Sequence, residues 1–452
     1  MDEFGSRQTV IPAEVQGRFR TWRNRVYAVL ILFFLGLPWV QVNGMQAVLL
    51  DIPGRRFIVF GKLFLAHDAP LLGLILGAAA LALATVTAVW GRLWCGWACP
   101  QTVFIDGVYR RLEIWIEGDY IKRRKLRQSG LTFERLWKSG AKWLAFLAVS
   151  LLFAHSFTAY FTGAERIVAM TQGSPSENWT TFVIVMFITG LLLWDFGWFR
   201  EQFCLIMCPY GRFQSVLMDK HSVTVLYDES RGEPRKAPGQ DPAAKRGDCV
   251  ACNRCVQVCP TGIDIRNGIQ MECIACTACI DACDEIMRKV KKPEGLIRYQ
   301  SLSGRGVLLK RTRVMAYAAL IAVCLITLVY NWANQRPYSI AVLRAQDMPF
   351  QTLPEDKILN HFKVHLLNQS DRDEEFEIAL SDEALKEGVQ LTQAKQRMIL
   401  KPGGAEETHF FLTLPKGAFN ATGEKAMQVI VREHISGRQE SVKVRAVGPR
   451  NL

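Results

Sequence analysis

Cys249-Val250-Ala251-Cys252-Asn253-Arg254-Cys255-Val256-Gln257-Val258-Cys259-Pro260 is followed a short way downstream by Cys273-Ile274-Ala275-Cys276-Thr277-Ala278-Cys279-Ile280-Asp281-Ala282-Cys283. Both stretches keep the spacing C-x2-C-x2-C-x3-C, and the first ends in the proline of the bacterial iron–sulfur run. On a tight loop three thiolates reach three corners of a cubane, so the fourth ligand must come from elsewhere. Where two such runs occur together, the last cysteine of each ligates the other cluster. The spacing therefore assigns Cys249, Cys252, Cys255 and Cys283 to one [4Fe–4S] cluster, and Cys273, Cys276, Cys279 and Cys259 to a second. Zinc also takes paired Cys-x-x-Cys ligands, but two matched four-cysteine runs favour iron and sulfide. Asp284 stands where the second run would carry its proline, which bears on the local turn and not on the ligands.

Outward from this module, two further cysteine pairs repeat one another. Trp94-Cys95-Gly96-Trp97-Ala98-Cys99-Pro100 and Phe203-Cys204-Leu205-Ile206-Met207-Cys208-Pro209 are both C-x3-C-P, each at the end of an apolar run. On a helix, positions i and i+4 share a face, so each pair can offer two sulfurs to one site. Together Cys95, Cys99, Cys204 and Cys208 suit a soft cation such as Cu(I) or a dithiol–disulfide couple. A buried cysteine is also simply a small hydrophobe, and Cys324, alone in its apolar run, is read that way. His155 sits in mid-span, where packing by a hydrogen bond competes with a ligand role. None of the 13 cysteines follows Cys324, and the short spacings point to metal and redox work, not to a disulfide framework.

Half of the 452 residues are hydrophobic although the formal net charge is +13. Alternating apolar and basic blocks reconcile these figures. Runs of about the 20 residues that cross a bilayer lie at Val26–Val42, Pro70–Trp90, Trp143–Phe161, Trp179–Phe199 and Val314–Trp332, the first of them short. No cleavable signal peptide is expected, because the first run begins after a basic stretch (Arg18, Arg20, Arg23, Arg25). Lysine and arginine crowd the 92–142 loop and the 200–313 segment, while 162–178 carries only Arg166. The positive-inside rule then places the N-terminus and the cluster module in the cytoplasm and everything after Trp332 outside. Charge that flanks spans in this way argues against nucleic acid as a partner. Beyond Gln335, short alternating strands separated by turn residues read as a β-sandwich of immunoglobulin type. His361 and His365 alternate along one strand there, marking a docking surface or a metal site.

The reading is thus of a multi-domain protein: an α-helical membrane bundle of about five spans, an inserted dicluster ferredoxin-like domain and a C-terminal β-sandwich. Its segments are a basic N-terminus (1–25), a four-span membrane domain with both C-x3-C-P motifs (26–227), a linker (228–248), a two-cluster domain (249–290), a basic linker (291–313), a fifth transmembrane helix (314–332) and the outer sandwich (335–452). This order, with Leu37-Pro38-Trp39, Asn43-Gly44-Met45-Gln46-Ala47 and Cys259-Pro260-Thr261-Gly262-Ile263-Asp264-Ile265, closely resembles the cytochrome c oxidase accessory proteins called CcoG, FixG or RdxA. The resemblance covers nearly the whole chain. It implies a protein of the bacterial inner membrane that reduces Cu(II) to Cu(I) during assembly of a cbb3-type oxidase. Two [4Fe–4S] clusters would be its cofactors and copper its substrate, with Cys95, Cys99, Cys204 and Cys208 as copper-handling or electron-accepting thiols. Oxidase assembly factors, copper chaperones or transporters and a cytoplasmic electron donor would be its partners, and the sandwich would be periplasmic. Two other readings stay open: a quinol dehydrogenase or electron relay of the NapH type, and a non-enzymatic assembly scaffold.

Overall fold

The structure is a computed structural model; it describes residues 10–449 apart from 43, 55, 66–68, 236–246, 304–310, 334–337, 346–347, 355, 369–371, 394, 402, 421, 435–436 and 438. Parts of the 1–25 segment and of the 228–248 and 291–313 linkers therefore lie outside the described residues. The chain forms two compact units. One comprises residues 1–40, 48–55 and 66–329; the other comprises 41–47, 56–65 and 330–452.

In the first unit the long helices are α1 (Arg18–Gly36), α2 (Ala69–Trp90), α3 (Phe133–Thr162) and α4 (Trp179–Leu192). The cluster module contributes α5 (Ala278–Lys289), and α6 (Thr312–Ala333) follows it. Four helices among the described residues are long and apolar enough to cross a membrane: Pro70–Trp90, Phe133–Thr162, Trp179–Phe199 and Thr312–Asn331. The expected first span, Val26–Val42, is not among them. Its helix starts in the basic Arg18–Arg25 stretch and stops at Gly36, where Pro38 opens a short 3-10 turn, Leu37–Trp39. Only the second half of α1 is apolar. The helix nevertheless runs along the bundle: Arg23 reaches the cluster module, while the Phe34 carbonyl accepts the Tyr160 hydroxyl at 2.8 Å near the far end of α3. Aromatic packing of Phe34, Phe104, Phe153 and Phe196 fills the interior between these helices.

The cluster module is a closed insertion. Strand Thr224–Tyr227 pairs antiparallel with Ile297–Gln300, so the segment leaves and returns at one place. The Ser222 hydroxyl and the Val223 amide fasten this entry point to the Ala88 and Val89 carbonyls at the end of α2, at 2.7 and 2.9 Å.

The second unit is a sandwich of two antiparallel sheets. Its strands are β1 (Tyr338–Arg344), β2 (Gln351–Leu353), β3 (Lys357–Asn368), β4 (Glu374–Leu380), β5 (Gln390–Gln393), β6 (Arg397–Leu400), β7 (Ala405–Pro415), β8 (Glu424–Glu433) and β9 (Gln439–Val447). One sheet has the order β5-β7-β3-β1 with β2 beside β3, and the other runs β6-β4-β8-β9. Strict alternation in β3 and β7 sends Ile358, Phe362, Val364, Phe410, Leu412 and Leu414 into the core. It turns His361, His365 and His409 outward, with His361 Nε2 2.9 Å from His409 Nδ1. Phe376 is fully buried, edge-on to Tyr338. Phe376→Ala is expected to destabilise the sandwich by about 3–5 kcal/mol. Limited proteolysis should then cut within 338–449 at a lower protease dose, with the visible absorbance of the iron–sulfur module unchanged.

Candidate iron–sulfur and thiol site

The two cysteine loops share an unusual backbone. Ala251 and Asn253 have φ of 52° and 56°, and Ala275 and Thr277, at the matching positions, have 50° and 61°. Left-handed backbone is costly for residues with a Cβ, so its recurrence at both places marks a shape that the loops require. Alternating right- and left-handed residues turn successive N–H groups inward into a concavity suited to an anionic iron–sulfur centre. The Ala275 N–H points at Cys273 Sγ, 3.4 Å away.

One small cavity is lined by Cys249, Cys252, Cys255 and Cys283, and its neighbour by Cys259, Cys273, Cys276 and Cys279, with Cys255 on the wall between them. In each cavity three cysteines come from one run and the fourth from the other. Among the described residues, no three such side chains converge tightly enough for a single ion. Each lining instead brings together the four cysteines that the spacing assigns to one cluster. Burial pushes the Cys255 thiol up to about 11 and those of Cys273 and Cys283 up to about 12. These sulfurs ionise only in the company of positive charge.

The C-x3-C-P pairs are brought together, though not on one regular helix as expected. Proline cannot donate and biases its predecessor toward extended backbone. Cys99 (φ −64°, ψ 127°) and Cys208 (φ −69°, ψ 111°) therefore each cap a new helix that starts at Pro100 or Pro209. Cys95 lies in the short helix Leu93–Trp97, and Cys204 in the π-helical turn Phe203–Met207. The Cys99 sulfur faces the backbone N–H groups of Gln101 and Thr102, and Cys95 Sγ accepts from Gln214 Nε2 at 3.1 Å. Burial pushes Cys95 up to about 11 and raises Cys99 and Cys204 as well; the neighbouring thiols of the other pair add to each rise.

Gly96, between Cys95 and Cys99, is where the two sulfur sites meet. A Cβ there would stand 2.5 Å from the Ala275 carbonyl oxygen, between Cys273 and Cys276. Cys95 packs on the apolar cluster that contains Cys276, Ile274 and Val258. Two arginines lock this contact. Arg23, 3% exposed, donates to the carbonyls of Gly96 (3.1 Å) and Cys276 (2.7 Å) and to Asp106 (2.9 Å). Arg92 donates to the carbonyls of Met271, Cys273 (3.3 Å) and Gly211 (3.0 Å), joining both thiol motifs to the second loop. From α5, Asp281 accepts the Phe19 and Arg20 amides at 3.1 and 2.7 Å and so caps α1. Gly17 is required there, since any Cβ would fall 2.3 Å from the Asp281 side chain.

Sequence reasoning missed Arg23, Arg92 and Asp281 as positioning groups. The first two fell within stretches read as topology signals, and Asp281 was noted only as a residue of the second cysteine run. The one hint was Gly96, a small residue inside a motif rich in tryptophan. His155, whose role the sequence left open, has Nδ1 2.8 Å from the Leu151 carbonyl of its own helix.

The comparisons with known proteins agree with this architecture. A family model described as "4Fe-4S dicluster domain" matches residues 199–302, and "4Fe-4S binding domain" matches 72–125, the stretch that holds Cys95 and Cys99. A third, described as "IG-like fold at C-terminal of FixG", matches 328–449. Protein RdxA of Cereibacter sphaeroides is 35% identical over 442 residues, covering 93% of this chain and 92% of that protein. The chain belongs to the FixG/RdxA family. Nitrogen fixation protein FixG of Rhizobium meliloti is 30% identical, with 97% and 92% covered. Ferredoxin-type protein NapH of Haemophilus influenzae is 25% identical and covers 54% of this chain. The family places the chain among multi-pass membrane iron–sulfur oxidoreductases, with 4Fe-4S binding domains and an immunoglobulin-like terminal fold.

The close approach at Gly96 yields a test. Gly96→Ala meets backbone on the facing loop and is expected to cost about 1–3 kcal/mol. Gly190→Ala, with open space around its Cβ, should stay within about 0.5 kcal/mol of the parent. Denaturant midpoints of the two purified variants measure the difference.

Proposed function

We propose that this chain is a membrane cupric reductase that delivers single electrons to copper for the copper centre of a cbb3-type oxidase. The observation that carries the reading is the contact of Gly96 with Ala275, which sets the C-x3-C-P thiols directly against the second cysteine loop. Cys249, Cys252, Cys255 and Cys283 would hold one [4Fe–4S] cluster, and Cys259, Cys273, Cys276 and Cys279 the other. Bound there, the clusters supply one-electron transfer, which matches the single electron separating Cu(II) from Cu(I).

The chain's own residues do the rest. Cys252 is the one exposed cysteine, so the first loop is the side a cytoplasmic donor protein would approach. The Arg23 and Arg92 guanidiniums hold the second loop against the thiols and keep the exit distance fixed. Cys95, Cys99, Cys204 and Cys208 are soft ligands that prefer Cu(I) to Cu(II) and so favour the reduced ion. Burial keeps Cys95, Cys99 and Cys204 protonated until a cation arrives, and binding then releases protons. Lysine and arginine in the 92–142 and 200–313 segments support a cytoplasmic cluster module. The sandwich would then face the periplasm, where it could dock oxidase assembly factors or copper carriers.

Anaerobically prepared protein should contain iron and labile sulfide and, given dithionite, should convert Cu(II) to Cu(I). Cys95→Ser with Cys208→Ser should lower that rate by about tenfold or more, equivalent to 1.4 kcal/mol per decade, with cluster absorbance intact. Unchanged copper reduction in this variant would refute the thiol assignment. Quinone reduction in place of copper reduction would favour the NapH-type relay.

A further inference from the structure

A cavity of about 410 Å³ opens between the start of α1, the C-x3-C-P region and the second cysteine loop. That size lies within the range of small-molecule sites, about 300–1,000 Å³. Cys204 and Cys276 are both on its wall, so it touches the thiol site and the cluster loop at once. Its charge is unbalanced. Arg20, Arg23, Arg110 and Arg123 line it, against Asp106, Glu201 and an exposed Glu14. Three of these arginines converge on the single carboxylate of Asp106. Among the described residues Arg123 has Glu113 at 3.6 Å and donates to the Pro12 carbonyl at 3.3 Å.

An independent observation points the same way. Arg110 and Arg123, 7% and 3% exposed, each keep a buried Nε–H with no hydrogen-bond partner among the described residues, and the uncharged Asn24 side chain shares that wall. Buried guanidinium donors left unmade are costly, and such groups call for a missing ion or ligand. Burial outweighs the available carboxylates at Arg123 and lowers its pKa. The excess here is positive.

We infer that this cavity receives copper as an anionic polycarboxylate chelate, the carboxylates meeting the arginines while the metal faces Cys204. The inference rests on the cupric reductase reading and names the form of its substrate. Carboxylate oxygens suit Cu(II), whereas thiols suit Cu(I). One electron would pass to Cu(II) from a reduced iron–sulfur centre held by the cysteine loops; no carbon bond changes, and each thiol that takes up the resulting Cu(I) gives its proton to the medium. Reduction itself thus moves the ion from the chelator to sulfur and frees the polycarboxylate.

The experiment uses the full-length holoprotein in detergent, reduced with dithionite and desalted anaerobically. Recovery of oxidised-cluster absorbance is followed with Cu(II)–citrate or Cu(II)–imidazole. The citrate complex should show a KM about tenfold lower, because charge-assisted hydrogen bonds from guanidinium to carboxylate are the stronger kind. Asn24→Asp should raise the citrate KM about tenfold, and the exposed Glu14→Lys should lower it a few-fold, the sign expected of electrostatic recruitment. Copper-free citrate should slow alkylation of Cys204 by iodoacetamide, read by mass spectrometry. Equal KM values for the two complexes with no protection of Cys204 would overturn the inference. Protection of Cys204 with neither complex reduced would uphold the anion site and remove the copper reading instead.

Discussion

The structure turns on one buried guanidinium. Arg23 reaches from α1 to the Gly96 carbonyl inside the first C-x3-C-P motif and to the Cys276 carbonyl inside the second cysteine loop. Electron transfer depends steeply on separation, so a carbonyl-to-carbonyl staple is worth more here than the same bond would be elsewhere. Arg92 repeats the arrangement from the other side, at Cys273 and Gly211. Both arginines donate to backbone oxygens and spare the sulfurs. Main-chain carbonyls are fixed by the fold and do not titrate, so the staple is independent of the redox state of the thiols.

Such a clamp is a poor source of net stability. Burying arginine and carboxylate groups costs several kcal/mol per ion, and their mutual attraction roughly repays it. Asp106 illustrates the balance. Burial alone would raise its pKa, yet Arg23, Arg20 and Arg110 hold it well below the usual carboxylate range. Glu113 is treated likewise by Arg200, Lys142 and Arg123. An apolar interior would hold the same helices together at lower risk. What the ion pairs contribute is direction, because a guanidinium accepts only a few geometries, whereas leucine contacts slide. The network therefore fits a need for a set distance between two sulfur sites.

The cysteine spacings carried the cluster module and the convergence of the four motif thiols into plain view, because both are local patterns repeated within the chain. The sandwich was legible for the same reason: alternation along Lys357–Asn368 and Ala405–Pro415 is a property of single strands. The i,i+4 presentation of each thiol pair was misread, since Pro100 and Pro209, directly after the second cysteine of each motif, start a new helix and leave Cys99 and Cys208 as its extended caps. The first span falls short of its expected length because its helix runs Arg18–Gly36, so only Val26–Gly36 of the apolar run is helical and the helix begins in a basic stretch. Arg23, Arg92 and Asp281 could not be picked out at all. Their partners lie far along the chain, and in sequence a staple and a positive-inside flag are the same letter.

The placing of the module between the helices Trp179–Phe199 and Thr312–Asn331 has a mechanical consequence. Its ends are tied by the Thr224–Tyr227 and Ile297–Gln300 pairing, and that pair is fastened to the end of α2 through Ser222 and Val223. Trp97 Nε1, one residue beyond Gly96, donates to the Tyr299 hydroxyl on the closing strand at 3.1 Å. Beside it Phe19 packs edge-on to both Trp97 and Tyr299, and Asp281 caps α1 at the Phe19 and Arg20 amides. Attachments to α1, to α2 and to the Leu93–Trp97 helix thus seat the module on several elements at once, whereas a carrier domain that swings between donor and acceptor needs a free end. On the proposed reading, electrons entering on the Cys252 side would reach the thiols through a module seated in this way, and large motion in turnover would belong to the donor that visits it.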